Sequence, residues 1–294
     1  MPTLLITLGL GLLGAAVAVL IRQQRLARRR QRETAARVRE CEAGLIRLRA
    51  KVYGRLARPE IGSGPPGPPV EFTSESGEDA LLWDLFEERR TGFYVEVGAF
   101  DGYTLSVTYP FEAMGWTGVL VEALPERAEA CRARRPRSMV VHAALGPRGS
   151  QGRASFTVVG ADETDEMLSF LSTSAVHARN LERRGDRRQT VTVPLTTMDR
   201  VLDDAGVAPG TIDFVVIDVE GGELGLLRGF DLERFRPRVL CIEDLARGRD
   251  GSVRAHVEAR GYEHAGVTGR NDLYVRADEP ALLARARRLT AVLR

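Results

Sequence analysis

The stretch Phe93-Tyr94-Val95-Glu96-Val97-Gly98-Ala99-Phe100-Asp101-Gly102 decides how the rest of the chain is read. Its first five residues are aromatic and β-branched, the composition of a short strand. The Gly-rich turn that follows lets bare backbone approach a ligand at the end of that strand. An ordinary tight turn would also use Gly98 and Gly102, so the glycines alone do not separate the two readings. Two acids do. Glu122 ends the next apolar run, Gly118–Glu122, 24 residues past Gly98, the place where an acid takes the hydroxyls of a ribose. Glu96 sits where a carboxylate would oppose a pyrophosphate and suits a cationic, amino-acid-like group. Phe100 also breaks the GxGxxG pattern of dinucleotide sites. A ligand carrying both a ribose and an amino-acid group fits these residues, and a nucleotide-dependent oxidoreductase fits them less well.

Outward from this core, β and α signals alternate. Met139–Ala143, Asp213–Asp218 and Arg238–Glu243 are further apolar runs suited to strands buried on both faces of a parallel sheet. Helical stretches separate them at Glu126–Arg135, Met198–Ala205 and Glu223–Gly229, as right-handed βαβ crossovers require. Ser74–Glu78 offers capping residues ahead of an amphipathic helix, Ala80–Arg90. Tyr262–Gly266 and Asn271–Arg276 read as a terminal antiparallel hairpin, and Ala281–Arg294 as an amphipathic helix. Ala154–Val159 and Thr190–Leu195 read as extra strands bracketing a polar insertion, Gly160–Gln189, an arrangement that suits either a substrate cover or variable surface.

Three stretches, FYVEVGAFDGYT from Phe93, GWTGVLVEALPE from Gly115 and IDFVVIDVEGGELGLLRGF from Ile212, together resemble the FkbM-type methyltransferase family. The resemblance spans Glu71 to Val275. It implies an α/β, Rossmann-like class I methyltransferase fold, a seven-stranded mostly parallel sheet with a C-terminal antiparallel hairpin, and O-methylation dependent on S-adenosyl-L-methionine. By that resemblance Gly98, Ala99 and Gly102 border the methionine end of the cofactor and Glu96 its amino group. Glu122 holds the ribose, and Ala143 to Leu145, centred on Ala144, lie along the adenine. Family members often carry Asn where this chain has Phe100.

Acids also end the later strands. Asp218 closes the fourth run and Glu220 follows within Val219-Glu220-Gly221-Gly222. Ligands of doubly wound sheets bind at the carboxyl ends of strands, so Asp218 and Glu220 are the candidate catalytic residues, positioned to take a proton from a hydroxyl acceptor or to hold the cofactor's amino group. Glu220 would otherwise cap the helix beyond Gly221. Glu243, ending the fifth run, is a further acceptor-side acid or a structural one. His142 reads as packing beside the nucleoside; His177 lies in the insertion. The His and Cys spacing fits no zinc site, and no metal is expected.

The formal net charge of +2 gives no basic face for nucleic acid. The three Cys are far apart and fit a reducing compartment. Nearly all basic residues are Arg, as in a GC-rich bacterial chain. Residues 1–21 contain an uncharged run, Leu4–Ile21, about 27 Å as a helix and near the thickness of a bilayer core. A cleaved signal peptide is the competing reading, but no Arg or Lys precedes the run; the Arg cluster follows it, from Arg22 to Arg32. That order predicts a single-pass bacterial membrane anchor with the enzyme in the cytoplasm. Residues 22–60 read as a juxtamembrane helix: its seam from Val38 to Val52 could pair two copies, but at about two heptads it is shorter than a coiled coil needs, and a solvated stalk is the favoured reading. Residues 61–70 are a Pro/Gly linker, and residues 71–294 the catalytic domain. The alternative in another class is a membrane-anchored scaffold with the same fold and no catalysis.

Overall fold

The computed structural model describes residues 70–159 and 188–291, together with Gln24, Arg28 and Thr34, each helical. The Leu4–Ile21 run, the Val38–Val52 seam, the linker before Val70, and His177 lie outside the described residues. Among the described residues no helix is long and apolar enough to cross a membrane.

The chain alternates strands and helices as the sequence predicts. A helix α1 (Glu78–Leu85) precedes β1 (Phe93–Val97); α2 (Tyr109–Met114), β2 (Thr117–Glu122), α3 (Pro125–Arg134) and β3 (Ser138–His142) follow. Next come β4 (Ala144–Leu145), β5 (Gly152–Val159), β6 (Arg188–Thr196), α4 (Met198–Asp204) and β7 (Phe214–Ile217). The chain ends with α5 (Glu223–Leu227), α6 (Leu232–Phe235), β8 (Val239–Glu243), α7 (Ser252–Glu258), β9 (Tyr262–Thr268), β10 (Asn271–Arg276) and α8 (Pro280–Ala291). The main sheet has seven strands in the order β3-β2-β1-β7-β8-β10-β9. The first five pair in parallel and β10 runs antiparallel to both of its neighbours. This is the class I methyltransferase arrangement, with the hairpin at the edge that the sequence predicts. A second, three-stranded sheet, β4-β6-β5, stands beside it.

Side chains of the central strands alternate between two cores, as strand geometry demands. Tyr94, Phe214, Val216 and Cys241 enter one core with Trp83, Phe111 and Trp116. Val95, Val97, Val215, Ile217, Leu240 and Ile242 enter the other with Met198, Leu202, Phe230 and Phe235. Both faces are covered, which explains the unbroken apolar runs.

Two local expectations are corrected. The helix predicted to reach Arg90 stops at Leu85, and Glu87 and Glu88 both take φ 56°. The chain turns there because Phe86 is drawn onto Trp116 and Phe214, and Trp116 Nε1 donates to the carbonyl of Arg89 at 2.7 Å. The capping residues also act in reverse. Gly77 is the N-cap without a side-chain bond, while the Asp79 carboxylate accepts from Ser74 N and Ser74 Oγ, and Glu78 accepts from Ser76 N.

Candidate functional site

The carboxyl ends of β1, β2, β7 and β8 open onto one cavity of about 350 Å³, within the range of small-ligand sites. It lies where the strand order reverses between β1 and β7, the crevice that doubly wound sheets use for ligands. Glu96, Gly98, Ala99, Glu122, Ala144, Asp218 and Glu220 all line it.

Gly98 shapes the floor. Its φ is +84°, and a β-carbon there would stand 1.8 Å from the carbonyl oxygen of Asp218. Only a residue without a side chain allows β1 and β7 to close so tightly at their ends. The N–H groups of Gly98 and Ala99 both donate to Val121 O, at 3.0 and 3.2 Å. Phe100 follows with φ 50° and presents its ring to Arg127, whose guanidinium carbon lies 4.3 Å from the ring centre. A left-handed position favours Gly and Asn, which gives a physical reason for the Asn usual at this point of the resembling sequences. Leu105 and Glu220, also lining the cavity, share the positive φ, and such positions concentrate at functional sites.

Glu122 is buried, and its two carboxylate oxygens accept from Phe100 N at 2.9 Å and Leu124 N at 2.8 Å. Desolvation raises its pKa from 4.5 to about 7. A carboxylate has room for about four hydrogen bonds, so Glu122 can hold the turn and still accept ribose hydroxyls. Glu96 differs. It accepts from Ser106 Oγ at 2.8 Å, Val107 N at 2.9 Å and Thr108 Oγ1 at 2.6 Å. It holds the 106–108 segment against β1 and, lining the cavity, keeps room for about one further donor.

Gly102 is not brought to the cavity. At φ +76° it faces Arg135 and Cys131, with a β-carbon 3.0 Å from Arg135 Cγ. The reason is a buried hub that sequence reading misses. Arg135 is 1% exposed and uses all five of its N–H donors: on Glu112, Gly102 O, Ser106 Oγ, Tyr94 Oη and Thr108 Oγ1. Glu96 lies 3.7 Å from it. His142 is likewise engaged elsewhere, on Ala123 O at 3.0 Å.

At the opposite end stand three acids. One carboxylate oxygen each of Asp218, Glu220 and Glu243 lie within 4.8 Å of one another. Asp218 is exposed and lines the cavity. The protein atoms crowded around its carboxylate desolvate it and raise its pKa. Desolvation and then the neighbouring acids raise Glu220 and Glu243 as well. Glu220 does not cap the following helix, whose N-cap Gly222 has no side-chain bond; Glu223 instead fastens the preceding turn, accepting from Gly221 N at 2.8 Å and Val219 N at 3.3 Å. That leaves Glu220 facing the cavity. Arg270, from the turn between β9 and β10, approaches Glu243 at 3.7 Å. Glu75 and Glu78 also line this end, and Asn271 Nδ2 donates to Glu78 at 2.9 Å. Their part in the wall was hidden in the sequence because they lie far along the chain from the strand ends.

The family model of the methyltransferase FkbM domain matches residues 96–264, more than half of the chain. The chain belongs to the FkbM methyltransferase family. No curated protein matches it in sequence. Among solved structures, an O-methyltransferase from Bacillus cereus in complex with SAH is similar at 13% identity and a TM-score of 0.37, over 79% of this chain and 89% of that one. The O-methyltransferase TomG from Streptomyces achromogenes gives 14% and 0.35, over 79% and 88%. A precorrin-6y C5,15-methyltransferase from Geobacter metallireducens gives 13% and 0.36, over 68% and 86%. Family membership makes this chain an S-adenosylmethionine-dependent methyltransferase. The matched residues hold both ends of the cavity: the Gly98 turn with Glu122, and the acids of the FkbM unit at Asp218, Glu220 and Glu243.

Proposed function

We propose that this FkbM-family enzyme methylates a hydroxyl oxygen of a glycan, glycolipid or secondary metabolite. The observation that carries the proposal is the joining, in one cavity, of a ribose-suited acid and a group of carboxylates at the neighbouring strand ends. The residues fit the methyl donor: Gly98 removes the side chain that would fill the floor, and Glu122 is fixed by backbone donors with acceptor capacity to spare. When bound, S-adenosylmethionine supplies an electrophilic methyl carbon. What the protein contributes is alignment of the acceptor oxygen, which is a positioning task. Asp218, exposed to the cavity beside Gly98, takes the hydroxyl proton as the oxygen attacks. Burial raises its affinity for that proton, the direction a general base needs. Ala143 to Leu145 supply an apolar wall for a base.

Thermal melting of the full chain with S-adenosylmethionine, S-adenosylhomocysteine and NAD tests the reading. The first two are expected to raise the melting temperature, since a ligand at a hundred times its Kd adds about 2.7 kcal/mol. Stabilisation by NAD alone would overturn it.

The Leu4–Ile21 run and the Arg cluster after it support a bacterial membrane tether that leaves the enzyme in the cytoplasm. The Val38–Val52 seam supports pairing of two copies. Protection of the C-terminal part on the outer face in a protease assay would defeat this topology, and a monomeric mass of the detergent-solubilised chain would defeat the pairing.

A further inference from the structure

Three carboxylates reach one point from two adjacent strands. Asp218 follows β7, Glu220 comes two residues later, and Glu243 ends β8, which pairs in parallel with β7 through Ile217 and Ile242. Their closest oxygens all fall within 4.8 Å of one another. Oxygen ligands around one hard cation, bound at about 2.0–2.6 Å, are up to roughly 4–5 Å apart, so the spacing already matches an ion between them.

Like charges this close need a proton or a cation to share the site. Arg270, 3.7 Å from Glu243 and 43% exposed, favours the charged forms of Asp218 and Glu220, but one cation offsets at most one of the three charges. A second observation sets this group apart from an ordinary acidic patch. Glu243 is 4% exposed, and its Oε2 is buried with no hydrogen-bond partner. A buried carboxylate oxygen without a donor is costly, and this one belongs to a side chain that lines the cavity beside the other two acids. A proton shared between Asp218 and Glu243 removes one charge and leaves Glu220 beside the pair. A dication removes two and draws a lone pair from every member.

We propose that Asp218, Glu220 and Glu243 bind one hard divalent cation, of the magnesium, manganese and calcium class, at the acceptor end of the cavity. The donor set is oxygen only, which selects this class over zinc or copper. Three protein ligands leave coordination positions open toward the cavity. The site itself is independent of the methyl-transfer reading. Its use rests on that reading: an acceptor hydroxyl held on the cation becomes more acidic, and its proton passes to a carboxylate oxygen that is not engaged with the ion.

The test is Mn²⁺ binding to the full chain, followed by electron paramagnetic resonance and calorimetry, with Mg²⁺ and Ca²⁺ as competitors. One Mn²⁺ per chain is expected, displaced by a competitor. Glu243→Gln should weaken binding by about tenfold or more, with unchanged circular dichroism. Asp218→Asn, at the cavity surface, gives the same readout if Glu243→Gln does not fold. Asp204→Asn, an exposed acid paired with Arg200, should leave binding unchanged. Absence of stoichiometric Mn²⁺ binding, or equal affinity in Asp218→Asn and wild type, would overturn the site. S-adenosylhomocysteine binding is measured on the same samples. Cation binding without it sinks the methyltransferase use and leaves the site; the reverse sinks the site and leaves the enzyme.

Discussion

At Gly98 one methyl group is enough to separate two strands. Because a β-carbon there would stand 1.8 Å from Asp218 O, Gly98→Ala must either push β7 away or abandon φ +84°. The expected loss is on the order of 3 kcal/mol of stability, with strain and displaced pairing both contributing, and with donor binding lost as well. Chemical denaturation and calorimetry on the variant check both. Asp218 invites a kinetic comparison. Asp218→Asn is nearly isosteric and should keep the fold while turnover falls by about 10²–10⁴-fold, the range for a lost general base. Turnover within threefold of wild type on a known acceptor would remove Asp218 from catalysis. If donor affinity falls in step with turnover, Asp218 instead holds the methionine end. These residues were legible in the sequence because an acid directly after an apolar run marks a strand's carboxyl end. Gly102 was misplaced for the opposite reason. Its direction is set by Arg135, which the sequence shows as one more arginine in an arginine-rich stretch.

Elements are joined by that same Arg135. It sits just beyond α3 and fastens β1, through Tyr94, to α2, through Glu112, and to the 102–108 segment. Arg135→Met would leave Glu112 buried without its cation, so a loss of about 3–5 kcal/mol is expected. Adding Glu112→Leu should restore part of it, because an apolar pair removes the stranded charge; urea unfolding of both variants measures this. If the double variant is as unstable as the single one, the ion pair is not what Arg135 supplies. Strand positions other than the two-residue β4 were legible to within a residue or two, since their apolar runs are short and bounded by turns. The short helices α2, α6 and α7 were not. They have six, four and seven residues and are held by packing more than by propensity; α4 and α5, as short, were legible because each lies in the crossover that β-strand alternation requires. The three acids were legible as strand-end residues; that Glu243 stands beside Asp218 and Glu220 needed the pairing of β7 with β8.

Across the whole molecule, buried acids set the response to pH. Glu78, Glu122 and Glu223 are all raised by desolvation from 4.5 to about 7. Between those two values the folded state keeps protons that the unfolded chain has released, so their contribution to stability falls as pH rises from 4.5 to 7 and is flat above. Melting temperature should therefore drop across that window. Glu122→Gln, which cannot ionise, should make the drop shallower; an unchanged slope would show that Glu122 is ionised throughout. A different consequence follows from the small sheet beside the main one. In β5 and β6, Val159 pairs directly with Arg188, so the ladder itself pins both ends of the 160–187 connection next to each other. Closing a loop between fixed neighbours becomes only slowly more costly with length, by about 0.6 kcal/mol for each doubling. The β5–β6 ladder thus tolerates a connection of almost any length between Val159 and Arg188, while the strand ends that line the cavity stay where they are.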